Sequence, residues 1–535
     1  MKVKALLLLL LCWTHSAFAA DFYGLVIGID QYKNVNPLDG AVNDANILAD
    51  SLTKIGAKKV KLLLNEHANR NEIKGAWEEL IKEAKDGDTI FFSYAGHGAQ
   101  ENERVPNTEA DGLDEFYVLA NFDATGPGTY ERILDDDLQE WFSKVPNLNV
   151  ILVSDSCHSG TMTRGYKKSN LKYRKIPQQT ISNDALPLSD NKKVIDERQT
   201  KLKNVVSFSA VPDYEEVPEV RIGSEQHGAL SWHLAQGLLG FADKNKDGNV
   251  DLAEIKDYLI ERVRMETEGQ QHPQINFTDN KPLVALKASA FIAKKQSSNA
   301  DGLPISVTQP TAQSSNVLAQ LKGVKVVTDS SALLIWDTEE NVLKNRFSDV
   351  VYNVVAGNST RAFKRSNAPE EAPAAGDDGV KGVQAVVDKF LLVEKAKALS
   401  DATLKIALKP DDKLHANGEN LTFVTENLRY PNFTLFNLAT DGTVNFLYPS
   451  AELKDPLQVP TNKPYALKLT VSAPFGADNF IVIASGEPLT ALHETLKRLD
   501  GKPIELEALS TALTNGLNGN HYQIGTHASF TVEKK

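Results

Sequence analysis

Residues Thr89–Gly98 read TIFFSYAGHG, and residues Asn149–Gly160 read NVILVSDSCHSG. Each opens as a short, almost unbroken apolar run and closes in a small, polar turn. Continuous hydrophobicity over so few residues is the pattern of a strand covered on both faces, as in parallel sheets. Phe22–Ile29, Val60–Leu64 and Val205–Ser209 have the same character. Between these runs, Ala41–Ile55, Asn71–Ala84 and Asp136–Ser143 carry apolar residues at helical spacing. Alternating strands and helices predict a three-layer α/β sandwich around a mostly parallel sheet, with right-handed crossovers.

In such sheets ligands gather beyond the carboxyl ends of the strands. If the two quoted strands are neighbours, His97 and Cys157 face one another across that crevice. An imidazole beside a thiol generates a thiolate nucleophile. His158 adjoins Cys157 and is a rival base, but consecutive residues point apart, so His97 is preferred.

Cysteine usage strengthens the reading. Only Cys12 and Cys157 occur in 535 residues. Residues 1–19 combine Lys2 and Lys4, the apolar run Ala5–Trp13, and small residues at Ala17 and Ala19. This is the form of a secretory signal peptide cleaved after Ala19, and it predicts an exported bacterial protein, periplasmic or extracellular. The run is too short to span ~30 Å of hydrocarbon, so no membrane span is expected after its removal. Cleavage takes Cys12 away and leaves Cys157 without a thiol partner, so no disulfide framework is possible. The 58 Lys+Arg against 70 Asp+Glu, a net charge of −12, exclude a general nucleic-acid binder.

Several motifs in order then resemble one family: LVIGIDQY with PLDGAVNDA, SYAGHGAQ, DGLDE, ILDDDL, DSCHSG and HGALSWHLAQGLLG. Over residues 20–290 the chain resembles the caspase-like cysteine peptidases, on the metacaspase (orthocaspase) side. The resemblance implies a thiol endopeptidase in which Cys157 attacks the scissile carbonyl and His97 protonates the leaving amine. It places the oxyanion on the N–H groups of Gly98 and Cys157, and needs no cofactor for the chemistry. Asp44 and Asp155 match positions that hold a basic substrate side chain, and buried carboxylates select Arg or Lys because leaving them unpaired is costly. Asp44 also has a structural reading, as a helix cap in an Asx-rich entry.

Residues Arg164–Lys203 hold 11 basic and 4 acidic side chains, in an otherwise acidic protein. In the family the large and small subunits join here, so an Arg/Lys-directed enzyme would cut itself in this stretch. Arg164, Lys168, Arg174 and Lys175 are the candidate positions.

Residues 243–254, DKNKDGNVDLAE, place Asp243, Asn245, Asp247, Asn249, Asp251 and Glu254 at the liganding positions of an EF-hand loop, with Gly248 at its sharp turn. Calcium is therefore the expected ion. The resemblance implies a second calcium site on Asp111, Asp135 and Asp136, but Arg164 stands where its fourth acid belongs and opposes it.

Residues 291–320, rich in Ser, Gln, Thr and Pro, are read as a linker. Residues 321–535 are read as a mainly β accessory domain, with strands at Val324–Trp336, Phe433–Phe436, Thr443–Leu447, Tyr465–Val471 and Phe480–Ala484 and a helix at Leu489–Leu499. Residues 367–379 (NAPEEAPAAGDDG) read as an acidic low-complexity loop. This domain resembles a domain of unknown function attached to bacterial signalling and peptidase modules. It is assigned binding to protein or envelope components. A catalytically idle, calcium-dependent binding scaffold is the rival to the peptidase.

Overall fold

The computed structural model describes residues 20–104, 112–157, 172–182, 186, 202–212, 215–222, 225–277, 282–285, 302–328, 332–346, 349–354, 363–365, 379–401, 403–410, 414–450, 452–456 and 458–533. The expected signal peptide, Asp111, His158, Arg164 and Lys168 lie outside the described residues, as does almost all of the 367–379 segment.

The N-terminal region runs β1 (Phe22–Gly28), α1 (Ala41–Ile55), β2 (Lys59–Leu64), α2 (Arg70–Glu83), β3 (Thr89–Ala95), β4 (Gly98–Asn102), β5 (Leu113–Val118), β6 (Arg132–Leu134), α3 (Asp135–Ser143), β7 (Asn149–Asp155) and β8 (Val205–Ser209). It continues through β9 (Glu219–Ile222), β10 (Glu225–Gly228), α4 (Ala229–Gln236), β11 (Asn249–Asp251), α5 (Leu252–Glu266), β12 (Gln274–Asn276) and β13 (Pro282–Ala285). The main sheet has the order β12-β8-β7-β3-β1-β2; only β12 is antiparallel to its neighbour.

Alternate residues of each strand feed opposite layers. Val26, Phe91, Val153 and Phe208 pack with Ala45, Leu48 and Leu52 of α1, Leu230 and Leu234 of α4, and Ile255 and Leu259 of α5. Leu25, Ile27, Ile90, Phe92 and Val150 pack on the other side with Ile73, Trp77 and Leu80 of α2 and Leu138, Trp141 and Phe142 of α3. Both faces are covered, which is why the strands show no polar alternation.

The site depends on one pairing. β3 and β7 lie side by side and parallel, with Tyr94 opposite Ser154 and Ala95 opposite Asp155. The chain beyond both strands therefore leaves the sheet at the same edge. β4, β5 and β6 form a small antiparallel sheet there, and β9–β10 form a ribbon.

The C-terminal region is β-rich, with sheets of five, four and five strands and the helices Val380–Ala398, Thr490–Leu499 and Leu506–Leu517. It docks on α5 through Arg346–Glu266 (2.9 Å) and Lys405–Asp257 (2.7 Å). The expected 291–320 linker is structured in its second half, as strand Leu303–Val307 and helix Ala312–Leu318. Leu303 and Ile305 are buried in alternation, and Thr311 caps the helix by accepting from the Ser314 N–H (3.1 Å). A polar composition concealed both signals. Val324–Trp336 is likewise two strands, Val324–Val326 and Leu334–Asp337, each parallel to Leu303–Val307.

Candidate active site

His97 follows β3 and is 3% exposed. Its backbone N–H donates to the Tyr32 hydroxyl (2.8 Å), and the two rings stack at a slant, 4.9 Å between centroids. Nε2 lies 2.8 Å from the Asn36 carbonyl oxygen, so it carries the proton and donates. Nδ1 is buried without a hydrogen-bond partner and is left as the acceptor. Burial pushes the imidazole down to about 4, against the Asn36 contact that favours its charged form. His97 is therefore a neutral base at neutral pH. Asn36 orients the ring through a main-chain carbonyl, a role that leaves no mark on residue type.

Cys157 follows β7 and is fully buried. Its sulfur accepts the Val217 N–H at 2.5 Å. Burial pushes the thiol up to about 12, with the Glu216 charge adding to the effect. In this covered arrangement the sulfur is a thiol, not a thiolate.

What covers it is the segment 172–179. The N–H groups of Gly98 and Cys157 both donate to a single acceptor, the Arg174 carbonyl oxygen, each at 3.1 Å. On the N-terminal side of Arg174 the segment pairs antiparallel with the stretch leading into β9. Arg174 N–H donates to Val217 O (3.0 Å), and Glu219 N–H donates to Lys172 O (2.9 Å). On the other side it runs parallel to β4, with Ile176 N–H on Gly98 O (3.1 Å) and Gln179 N–H on Gln100 O (2.8 Å).

The Arg174 side chain fills a closed acidic pocket and has no exposed surface. Its Nη2 lies 2.6 Å from Asp44 Oδ2 and 3.2 Å from Glu219 Oε1; Nη1 lies 3.2 Å from Asp155 Oδ1 and donates to the Asp155 carbonyl. Each acid is held by other donors. Asp44 accepts from His227 Nδ1 (2.9 Å) and Gly228 N–H (2.8 Å), Asp155 from Ser231 N–H (2.9 Å), and Glu219 from the N–H groups of Asp39 and Gly40 (2.8 and 2.9 Å). Burial pushes the Asp44 carboxyl up against the opposing pull of the Arg174 guanidinium. Gly228 forms the wall, where a Cβ would strike both the Asp155 carboxylate and Arg174.

Asp44 is thus not a helix cap; Gly40 precedes α1, and the Asp44 carboxylate turns into the pocket. Glu219 is a third acid of the pocket that motif spacing did not indicate. Of the self-cleavage candidates, Arg174 occupies the acidic pocket and Lys175 pairs with Glu216 just outside it.

Residues 23–284 match the caspase-domain family. They are a caspase domain. Metacaspase-1 of Pyricularia oryzae is 28% identical over 47% of this chain and 70% of its own length. Metacaspase-1 of Kluyveromyces lactis is 30% identical over 26% of this chain, which spans only 33% of that relative. Metacaspase-7 of Arabidopsis thaliana is 31% identical over 25% of this chain and 34% of its own. Family and relatives together support a cysteine-type endopeptidase.

Among the described residues, no group of three or more His, Cys, Asp or Glu converges as a metal-binding cluster. Beside the caspase sheet, the 243–254 segment forms a tight loop with Gly248 at φ +84°, and Val250 at its eighth position pairs antiparallel with Val284. Asp243 Oδ2 accepts the Gly248 N–H (3.1 Å), while Asp243 Oδ1 is buried without a hydrogen-bond partner. Asp251 caps α5 by accepting from Glu254 N–H (2.8 Å), and Glu254 accepts N–H groups of Lys244, Asn245 and Asp251. The donors are all oxygens, the set that calcium takes. No helix among the described residues is long and apolar enough to cross a membrane.

Proposed function

We propose that this chain is an exported cysteine endopeptidase that cleaves after Arg or Lys and cuts itself after Arg174. One observation carries the reading: the carbonyl of a residue whose guanidinium fills a three-acid pocket accepts the N–H groups of Gly98 and of the nucleophile Cys157 itself. That is the placement required of the residue preceding a scissile bond, and preorganised N–H donors stabilise the oxyanion that forms there. In the reaction, the Cys157 sulfur bonds to the Arg174 carbonyl carbon after passing its proton to His97. The Arg174–Lys175 C–N bond breaks as His97 returns that proton to the leaving amine. Water then attacks the thioester, releasing the new carboxylate and restoring the thiol.

Wild-type protein is expected to yield two fragments with a new terminus at Lys175, and Cys157→Ala a single band. A fluorogenic panel should favour Arg and Lys over Asp before the scissile bond, and an Arg-chloromethylketone should label Cys157. Faster turnover after Asp would remove the assignment of specificity. No labelling and no cleavage would favour the idle binding scaffold.

Calcium at 243–254 is a second part of the reading. The loop's all-oxygen donors and the handedness at Gly248 support it, and bound calcium would tie the entry of α5 to the preceding turn. Calorimetry is expected to show calcium binding that Asp243→Ala abolishes; equal heats for both proteins would remove it. Export rests on the 1–19 leader, and the C-terminal domain is assigned protein or envelope contacts.

A further inference from the structure

The covering segment continues past Arg174, and its next two side chains are also held, one by an acid and one by an apolar cluster. We propose that the caspase domain recognises substrates on the leaving-group side as well, requiring a basic residue and then an aliphatic one after the scissile bond, with Glu216 and an apolar recess beside β4 as the two subsites. This rests on Arg174 being the residue before the cut.

Lys175 forms an ion pair with Glu216 in which both side chains are largely covered, 17% and 21% exposed. Lys172, two residues before Arg174, pairs with Asp39 at 2.7 Å, but those side chains are 37% and 56% exposed. Solvent screens the outer pair, and long exposed side chains lose entropy when fixed, so the Asp39 contact contributes little to selectivity. The Glu216 pair is shielded, and an opposing charge there costs far more.

Ile176, 7% exposed, enters a cluster with Ala99, Phe116, Val118, Phe122 and Leu134. Its N–H is fixed by Gly98 O, so the side chain cannot slide along β4. The backbone partners are sequence-blind, which leaves Glu216 and this recess to discriminate.

Glu216 also acts on the nucleophile. Its charge is one of the influences holding the Cys157 thiol up, while that of Lys175 works the other way. A basic residue after the cut therefore both fills a subsite and offsets the charge that opposes thiolate formation. The substrate class is a basic segment with Arg or Lys, then Lys or Arg, then an aliphatic residue.

The test is self-cleavage of the full chain, followed by gel and terminal sequencing. Lys175→Glu is expected to slow cutting after Arg174 by about tenfold or more, and Lys175→Glu combined with Glu216→Lys to recover it. Ile176→Asp should also slow it, and Ile176→Val should not. In trans, quenched peptides carrying Tyr-Arg-Lys-Ile should be cleaved faster than Tyr-Arg-Glu-Ile by wild type, with the order reversed by Glu216→Lys. Unchanged rates for Lys175→Glu, or equal turnover of both peptides, would overturn the proposal while leaving cleavage after Arg intact. Cleavage after Asp instead of Arg would take away the underlying reading.

Discussion

Two buried cations occupy different settings in this molecule. Arg174 in the caspase domain is gripped by Asp44, Asp155 and Glu219 at 2.6 to 3.2 Å, acids brought from α1, β7 and β9. Lys389, on the C-terminal helix Val380–Ala398, is 3% exposed and donates to the Ala477 carbonyl (2.5 Å) in the field of Asp478, Glu268 and Asp441. Burial pulls the Lys389 ammonium down and pushes Asp478 up to about 8 and Asp441 up to about 6. Those acids have an alternative to a cation, since each can take up a proton. The Arg174 pocket offers a forked, permanently charged group three matched acids instead. The Lys389 setting suits a resident lysine. The Arg174 pocket is the one proposed to take a guanidinium that arrives and leaves on a peptide.

The sharpest way to break this contrast is to remove one acid from the Arg174 pocket and the cation itself from the Lys389 setting. Asp155→Ala leaves a buried guanidinium underpaired, and kcat/KM on Arg peptides should fall on the order of 10²–10³-fold. Lys389→Met should leave kcat/KM on the same peptides unchanged and lower stability by about 1–3 kcal/mol, measured by urea unfolding. Comparable activity losses in both would mean that the two cations serve one site.

The third and smallest effect is on pH dependence. The His97 imidazole titrates at about 4 in the covered fold, against about 6.5 in an unfolded chain. Between those values the unfolded chain binds more protons, so stability should decline as pH drops from 6.5 toward 4. His97→Gln should flatten that part of a pH–unfolding curve. An unchanged slope would show that the imidazole is reached by water despite its burial.

Much of the caspase domain was legible because its strands are apolar runs with nothing to contradict them. Helix α1 was bounded at Ala41–Ile55, as observed, because its apolar spacing is regular and Gly56 adopts φ +101° to end it. In the candidate site, only chemistry tied to residue type was legible as a candidate: Cys157, His97 and the two aspartates. Asn36 was not, because its contribution is a carbonyl that any residue carries. Glu219 was not, because it sits on a short ribbon far along the chain from Asp44 and Asp155, and only folding joins them. Arg174 stood among six basic residues in Arg164–Lys175, and composition cannot say which one a pocket takes. In the C-terminal region the helix Val380–Ala398 was hidden beside an acidic low-complexity stretch. The structured end of the expected linker was masked by serine and glutamine.

The covering segment has a consequence for timing. It is tethered to the nucleophile's own strand, so it competes with outside peptides at an effective concentration on the order of millimolar. A micromolar peptide meets a site already taken. A chain that cuts after Arg174 therefore performs its first turnover on itself, at a rate independent of dilution. On that proposal each molecule carries its own first-order clock, started by folding rather than by encounter with another enzyme.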